Sequence, residues 1–404
     1  MSLFGDNKAS FLGVDLGNAG IKIVELQNQN NRPHLLTYGL ADLSVNAANV
    51  SAEQTEEEVV ELIKQICLKA KTVSKQAISS LPSFSVFSSV ITLPEMKKSE
   101  LDKAIVWEAK KFLPMAVEEM NLDWKIIGKY EGVASSVSAP AAANNLEQEN
   151  VNGKNGQTSE KKEEKENDLT TAVKEETATV VKSNNAFAPT KTYLKVLLTA
   201  ALKKNVNRYV SIFKRAGLEL LGLETESFAL ERSLVGWEEA PVMIVDIGAI
   251  TSDIIIVEKG IPVLSRSVDA GGATITSLLA KNLNVDAKRA EQFKRDIGFQ
   301  GGAGQDVPKV IQDSIEPIVN EIKYCFDLFL SQEAKNKKVE KIVLTGGSAF
   351  LPNLPNFLSQ LLNIKVIIGD PWARIVYPLE LKPVLDELGP RLAVAVGLAM
   401  REIE

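Results

Sequence analysis

Leu12-Gly13-Val14-Asp15-Leu16-Gly17-Asn18-Ala19-Gly20-Ile21-Lys22-Ile23-Val24 runs an apolar strand into Asp-x-Gly and returns as a second apolar strand. A matching stretch, Ile244-Val245-Asp246-Ile247-Gly248-Ala249-Ile250-Thr251-Ser252-Asp253-Ile254-Ile255-Ile256, lies past the middle of the chain. A carboxylate at the end of a buried strand is costly unless another charge compensates it, and a hydrated divalent cation does so. The small residues after it let several backbone N–H groups converge on one concavity, a geometry that takes phosphate oxygens. One such hairpin alone is most simply an Asx turn. Two, in the same order relative to their strands, point to an internal duplication with a ligand between the halves.

Composition narrows the class. At 404 residues the chain exceeds one compact core, and a 45 % hydrophobic content says that most of it folds. A formal net charge of −6 leaves no basic excess of the kind nucleic acids require, so DNA and RNA are not expected partners. Cys67 and Cys325 each sit in an amphipathic helical pattern and read as core packing in a reducing compartment. The single histidine, His34, falls in a polar, Asn-rich turn and reads as solvated. Its isolation argues against histidine metal sites and Ser-His catalysis. Met1 to Ser10 has no apolar export stretch, and no apolar run reaches the roughly 18 residues of a membrane span, so a soluble cytoplasmic protein without direct membrane insertion is expected.

Periodicity places elements around the two hairpins. Ser51 to Lys71 predicts a helix with Ser51 as N-cap, and Gln76 to Leu81 and Ser85 to Leu93 predict strands. Ser99 to Leu113 predicts a helix capped by Ser99 and stopped by Pro114, with Leu101, Ile105, Trp107, Ala109 and Phe112 as its apolar surface. Residues 133–188 are rich in Ala, Ser, Asn, Glu and Lys and cannot bury enough apolar area to offset their entropy, which predicts a disordered insert between strands Trp124 to Tyr130 and Thr192 to Leu202. Val206 to Gly217 and Glu226 to Leu234 predict helices, and the second half restarts at Pro241. There, Gly271-Gly272 opens a helix through Leu283, followed by helices over Ala287 to Asp296 and Ser314 to Leu330. A strand from Lys341 to Leu344 enters Thr345-Gly346-Gly347-Ser348, and Leu392 to Ile403 is the expected closing helix.

The two Asp-x-Gly turns and the Gly-Gly turn together resemble the phosphate-1, phosphate-2 and adenosine motifs of the actin, DnaK-chaperone and sugar-kinase superfamily. Within it the chain is most similar to the PilM family, the actin-like assembly proteins of type IV pilus systems. The residues carrying that likeness are Phe11 to Gly17, Leu93-Pro94-Glu95-Met96, Phe112-Leu113-Pro114, Glu224 to Leu230 and Asp246 to Ser252.

The resemblance implies an α/β, two-lobed actin-like ATPase fold of duplicated ribonuclease-H-like domains, with ATP and Mg²⁺ in the cleft. The first lobe would span residues 1–235, with a small subdomain inserted at about 92–199. The second would span 236–404, with an insertion at about 271–340 and a final helix, 392–404, closing the cleft. Asp15 and Asp246 would hold Mg²⁺ through water. Gly17, Asn18, Ala19, Gly20, Lys22, Gly248, Ala249, Thr251, Gly271 and Gly272 would contact phosphates, and Glu291, Lys294, Gly346, Gly347 and Ser348 the adenosine. Glu226 would lie near the attacking water. Ile250 replaces a glycine found in chaperones and FtsA, narrows the approach to the γ-phosphate, and implies slow or no hydrolysis.

The same likeness implies a groove for the N-terminal cytoplasmic peptide of the inner-membrane protein PilN, with Pro82, Phe84, Phe112 and Pro114 as its candidate walls. The protein would then be a scaffold at the inner face of the cell membrane, held there by its partner, in pilus or related type II secretion assembly. Weak self-association stays open. The fold also serves FtsA- or MreB-like filament formers, although FtsA ends in an amphipathic membrane helix and this sequence stops at Arg401-Glu402-Ile403-Glu404. It serves small-molecule kinases too, but no further motif-supported acid is present to act as general base.

Overall fold

The computed structural model describes residues 9–42, 56–132, 191–300, 309–332 and 338–403. The expected cap Ser51 and the expected insert 133–188 lie outside these residues.

The first half contains β1 (Ser10–Gly17), β2 (Gly20–Gln29), β3 (Arg32–Asp42), α1 (Glu56–Ala70), β4 (Gln76–Leu81), β5 (Val86–Pro94), α2 (Lys98–Ala109), β6 (Met120–Gly132), β7 (Lys191–Leu202), α3 (Lys203–Ala216), β8 (Glu219–Thr225) and α4 (Glu226–Leu234). The second contains β9 (Val242–Ile247), β10 (Ser252–Glu258), β11 (Ile261–Val268), α5 (Gly272–Leu283), α6 (Ala287–Ile297), α7 (Lys309–Gln332), β12 (Lys341–Thr345), α8 (Leu354–Leu362), β13 (Lys365–Ile368) and α9 (Lys382–Met400).

The duplication is explicit in the sheets. One has the order β3-β2-β1-β4-β8 and the other β11-β10-β9-β12-β13. In each, the first three strands form an antiparallel meander, and the remaining strands join in parallel. The inner strands are continuous apolar runs, as expected where both faces are covered. Val242 to Val245 and Ile254 to Val257 are entirely buried. A third, antiparallel sheet, β5-β7-β6, is inserted after β4 and packs against α2 through Ile91, Leu101, Ile105 and Leu198.

Helices α4 and α9 lie between the two large sheets. Ala229 and Leu230 of α4 and Ala393, Val394 and Leu398 of α9 share one apolar cluster with Ile78 of the first sheet and Ile244 and Ile255 of the second. Small residues permit the approach. A β-carbon on Gly397 would fall 1.8 Å from the Ala229 carbonyl oxygen, and one on Gly13 of β1 would fall 1.9 Å from the Ala395 carbonyl oxygen.

Several elements differ from the sequence pattern. The closing helix starts at Lys382, ahead of the expected Leu392, and continues through Pro390. Proline usually ends a helix because it lacks a donor and crowds the preceding turn, but burial of nearly every residue from Gly389 to Met400 outweighs that cost. Helix α2 ends at Ala109, short of the expected Leu113, and its N-cap is Lys97, not Ser99. Trp107 does not join its apolar face and is 64 % exposed, with Lys111 Nζ 3.8 Å from the ring centroid. His34 is on β3 and half-buried. The turn beside it is made by Asn30 and Asn31, both at positive φ.

Candidate functional site

Each Asp-x-Gly motif ends a central strand, so its carboxylate emerges where the two sheets face one another. Residues directly opposite in an antiparallel pair project to the same side. Asp15 is therefore matched by Lys22 on β2, and Asp246 by Asp253 on β10. The two hairpins are topologically equivalent, but one carries a lysine where the other carries an acid.

Lys22 Nζ donates to Asp15 Oδ2 at 2.9 Å. Burial opposes the ammonium charge, yet Asp15, and beyond it Asp246 and Glu226, outweigh burial and raise its pKa. Burial, then the neighbouring Asp253, push Asp246 up to about 7 against the pull of Lys22. Burial followed by Asp253, Asp15 and Asp246 raises Glu226 well above the usual carboxylate range. Burial also raises Asp253, whose Oδ1 accepts from the Ser267 hydroxyl. Three carboxylates, from β1, β9 and α4, thus act on one ammonium, and Asp253 of β10 adds a fourth acid beside Asp246. Such a cluster is short of positive charge, and oxygen donors of this type suit Mg²⁺. Among the described residues no group of three or more acids, histidines or cysteines converges closely enough for direct ligation. Mg²⁺ commonly keeps several of its waters and needs only one or two carboxylates, so Asp15 and Asp246 fit it.

The two Asp-x-Gly turns lie beside these acids. A β-carbon on Gly17 would be 2.7 Å from Lys22 Nζ, so backbone and ammonium share one small space. Asn18 is exposed and Ala19 half-buried at the tip of the turn. Gly20 also serves the sheet: a β-carbon there would meet the Ala41 carbonyl oxygen of β3 at 2.3 Å. In the second turn the Gly248 N–H donates to the Thr251 carbonyl (3.0 Å), and the N–H groups of Gly272 and Ala273 donate to the Gly248 and Ala249 carbonyls (2.9 and 2.7 Å). The start of α5 is thereby fastened to the second Asp-x-Gly turn. Gly271 permits it, since its β-carbon would fall 2.7 Å from the Gly248 carbonyl oxygen.

Gly346, Gly347 and Ser348 close the opposite side. Gly346 has φ 86°, and a β-carbon there would be 2.2 Å from Asp246 Oδ1. Its N–H and the Thr345 hydroxyl both donate to the Pro390 carbonyl at 3.0 Å, and the Ser348 N–H donates to the Ile247 carbonyl at 3.2 Å. Gly347 is exposed, with open space where a side chain would stand. Ser348 Oγ lies beside Gly272, 2.7 Å from its would-be β-carbon.

Glu291 and Lys294 of α6 adjoin the same point. Lys294, 7 % exposed, donates to the Gly272 carbonyl (3.0 Å) and Thr276 Oγ1 (2.9 Å) and pairs with Glu291 at 2.7 Å. Burial lowers the Lys294 pKa despite that pairing. Burial pushes Glu291 the other way, but Lys294, Thr276 and Arg295 prevail and bring it to about 2. Asp15, Asp246, Lys22, the two Asp-x-Gly turns, the Gly-Gly turn and the α6 pair are therefore one contiguous surface between the lobes.

Asp253 and Thr276 belong to this surface and were not singled out in the sequence. A signal for Asp253 existed, because it follows Asp246 at the spacing by which Lys22 follows Asp15.

A second cavity, of about 880 Å³, opens beside the inserted sheet and includes Phe84, Phe112, Pro114, Phe228, Arg266 and Ser267 in its lining. Pro82 is outside that lining, and its carbonyl instead holds the Ser85 N–H and hydroxyl at 2.9 and 2.8 Å, shaping the turn that carries Phe84.

The model of one protein family, described as type IV pilus assembly protein PilM, matches residues 13–164 and 179–403. The chain belongs to the PilM family. The members of that family are described as type IV pilus assembly proteins. The chain's fold is also that of a solved PilM-PilN type IV pilus biogenesis complex, with 21 % identity, a TM-score of 0.71, and coverage of 98 % of this chain and 99 % of that one. Among curated proteins it is similar to the cell division protein FtsA of Staphylococcus epidermidis (27 % identical over 183 residues, 40 % of this chain and 39 % of that protein). FtsA of Borreliella burgdorferi is 23 % identical over 224 residues, 48 % of this chain and 51 % of that protein. The chain thus spans about half or less of the length of these curated relatives. Among the described residues no helix is long and apolar enough to cross a membrane.

Proposed function

We propose that this PilM-family chain is an ATP-binding scaffold of type IV pilus or related type II secretion assembly, which carries Mg²⁺-ATP between its lobes and a PilN-type peptide in the 880 Å³ cavity. The supporting observation is the convergence of Asp15 and Asp246, from equivalent strands of the two lobes, on a space bounded by three glycine-bearing turns. Asp15 and Asp246 would hold the cation through water, and Lys22 would turn from Asp15 toward the phosphates. Gly17, Asn18, Ala19, Gly248, Ala249, Thr251, Gly271 and Gly272 would offer backbone to phosphate oxygens. Gly346, Gly347 and Ser348 would receive base and ribose opposite Glu291 and Lys294. Bound Mg²⁺ supplies the positive charge that this acid cluster lacks. Turnover is slow or absent in this reading, because Ile250 is bulky where the γ-phosphate would enter and Glu226 is engaged with Ser83.

In the cavity, Phe84, Phe112 and Pro114 would pocket apolar side chains of an extended N-terminal peptide, with Pro82 setting the turn beneath it. The membrane protein donating that peptide would bring the chain to the inner face of the membrane.

Titration calorimetry with ATP and Mg²⁺ tests the nucleotide half. Wild type should bind, and Asp15→Ala and Asp246→Ala should each weaken binding at least tenfold; unchanged affinity in both variants would refute it. Capture by a synthetic peptide copying the cytoplasmic N-terminus of the PilN-type partner tests the other half, with Phe84→Ala and Phe112→Ala expected to reduce retention.

A further inference from the structure

Helix α1 ends in a corner that is both basic and apolar. Residues 62–75 carry four lysines, Lys64, Lys69, Lys71 and Lys75, and no acid, in a chain of net charge −6. All four lysines are exposed. Among them stand two aliphatic side chains that the fold leaves in water, Leu68 at 79 % and Val73 at 77 % exposure. The helix buries Val59, Val60, Ile63 and Ile66 in the core of the first sheet. Lys64 and Leu68, spaced i and i+4, therefore share its outer face, with Lys71 just beyond its end. Two acids bound the corner: exposed Glu61, one turn before Lys64, and exposed Glu219, whose N–H donates to the Lys75 carbonyl at 2.7 Å.

The main chain of this corner is fixed. Around Lys71, at φ 54°, the Thr72 N–H donates to the Cys67 carbonyl (3.1 Å) and the Lys71 N–H to the Leu68 carbonyl (3.3 Å), which closes the helix. That left-handed position ordinarily goes to glycine, because a β-carbon there crowds the following carbonyl. A lysine thus sits at the tip of the turn against its backbone preference. The next two N–H groups, of Val73 and Ser74, are gripped at 2.9 Å by the wholly buried Glu25 carboxylate, and the Ser74 hydroxyl donates to the Ser10 carbonyl at 2.6 Å. Val73 is presented outward on a turn already held in place, so little backbone ordering is left for a binding event to supply.

Aliphatic tips ringed by ammonium groups fit the face of an anionic bilayer. Headgroup phosphates take the lysines, with about a fivefold gain in affinity for each one near the surface, while Leu68 and Val73 reach the boundary of the acyl chains without any helix spanning them. We propose that the corner formed by Lys64, Leu68, Lys69, Lys71, Val73 and Lys75 is a peripheral docking surface for anionic lipid. This contact requires neither nucleotide nor peptide, so it stands apart from the assignments made above.

Flotation of the full-length protein, without nucleotide or peptide, reads the contact, using vesicles of mixed phosphatidylglycerol and phosphatidylcholine or of phosphatidylcholine alone. Wild type should float with the anionic vesicles and not with the neutral ones, and salt should release it. Lys69→Ala/Lys71→Gly should weaken binding at least tenfold while its Tm stays level or rises, since glycine relieves the left-handed position. Leu68→Ser/Val73→Ser should weaken binding at least threefold with Tm unchanged. Lys281→Ala/Lys288→Ala, which removes two exposed lysines of the second lobe, should bind as wild type does. Absence of wild-type flotation overturns the surface, and so does a loss in Lys69→Ala/Lys71→Gly no greater than in the second-lobe pair. Normal flotation of Leu68→Ser/Val73→Ser beside a loss in the lysine variant would mean attraction to any anionic surface, an acidic protein included, and overturns the lipid assignment.

Discussion

Lys22 stands directly across a β-hairpin from Asp15, its Nζ 2.9 Å from Asp15 Oδ2, and it is the ammonium on which Asp246 and Glu226 also act. Lys22→Met removes that charge while keeping much of the volume. Stripping one partner from a buried ion pair costs about 3 to 5 kcal/mol, so the nucleotide-free variant should unfold at lower urea, with a loss near the bottom of that range. Millimolar Mg²⁺ should then raise the variant's midpoint more than wild type's, since the cation replaces the missing charge. Equal responses to Mg²⁺ in both proteins would detach Lys22 from the cation's place.

Gly346 and Gly347 are adjacent but answer to different constraints. Gly346→Ala forces a β-carbon onto Asp246 Oδ1 at a backbone φ of 86°. Overpacking and left-handed backbone together should cost at least about 3 kcal/mol, seen as a lower Tm without any ligand. Gly347→Ala meets open space, so its Tm should stay within a degree of wild type while its ATP affinity falls severalfold. If Gly347→Ala binds ATP normally, that turn does not face the base.

The Glu291 carboxyl lies at about 2 in the folded protein against an ordinary 4.5, because Lys294, Thr276 and Arg295 favour its charged form. A depressed acid contributes its full stabilisation above pH 4.5 and loses it as pH falls toward 2. Glu291→Gln should therefore cost about 1.5 kcal/mol at pH 7, the low end for a hydrogen bond to a charged group, since Glu291 is one-third exposed. The gap between variant and wild type in urea midpoint should narrow between pH 5 and pH 3, and a gap constant with pH would disprove the linkage.

Burial pushes the Cys325 thiol up to about 12 and also raises Cys67, which is only half-buried. Thiolate is the reactive form. A chromogenic thiol reagent at pH 8 should leave Cys325 unmodified in the native protein and label it at once in urea. Rapid native labelling of Cys325 would contradict its placement against α7's neighbours.

The duplication was legible because its two halves repeat a charged residue inside apolar strands, a pattern that costs energy and so stands out. Asp15 and Asp246 could be picked by that reasoning, and Gly346 by its place after β12. Asp253 was hidden because an acid on a returning strand looks like an edge-strand charge until strand register sets it opposite Asp246. Glu25 was hidden similarly: it is wholly buried on β2, and its carboxylate accepts from the Ser10 hydroxyl (2.8 Å) and the Val73 and Ser74 N–H groups (2.9 Å each).

Other features depended on long-range packing that periodicity does not record. The short pair α8 and β13 went unassigned, since nine and four residues carry too little pattern to stand out. Trp107 fits a helical face by spacing yet points outward, because α2 covers only one small sheet and Leu101, Ile105 and Ala109 suffice for it. Ser83 and Ser267 are the least legible of all, being ordinary polar residues until the fold brings Ser83 against Glu226 of α4 and hairpin register sets Ser267 opposite Asp253.

At the crossing of α4 and α9, main chain rests on main chain, for Gly397 has no β-carbon and could not accommodate one beside Ala229. With no side chains to slide over one another there, translation between the helices has nothing to lubricate it. A side chain at position 397 would therefore wedge the two helices apart and loosen the apolar cluster they share with both sheets.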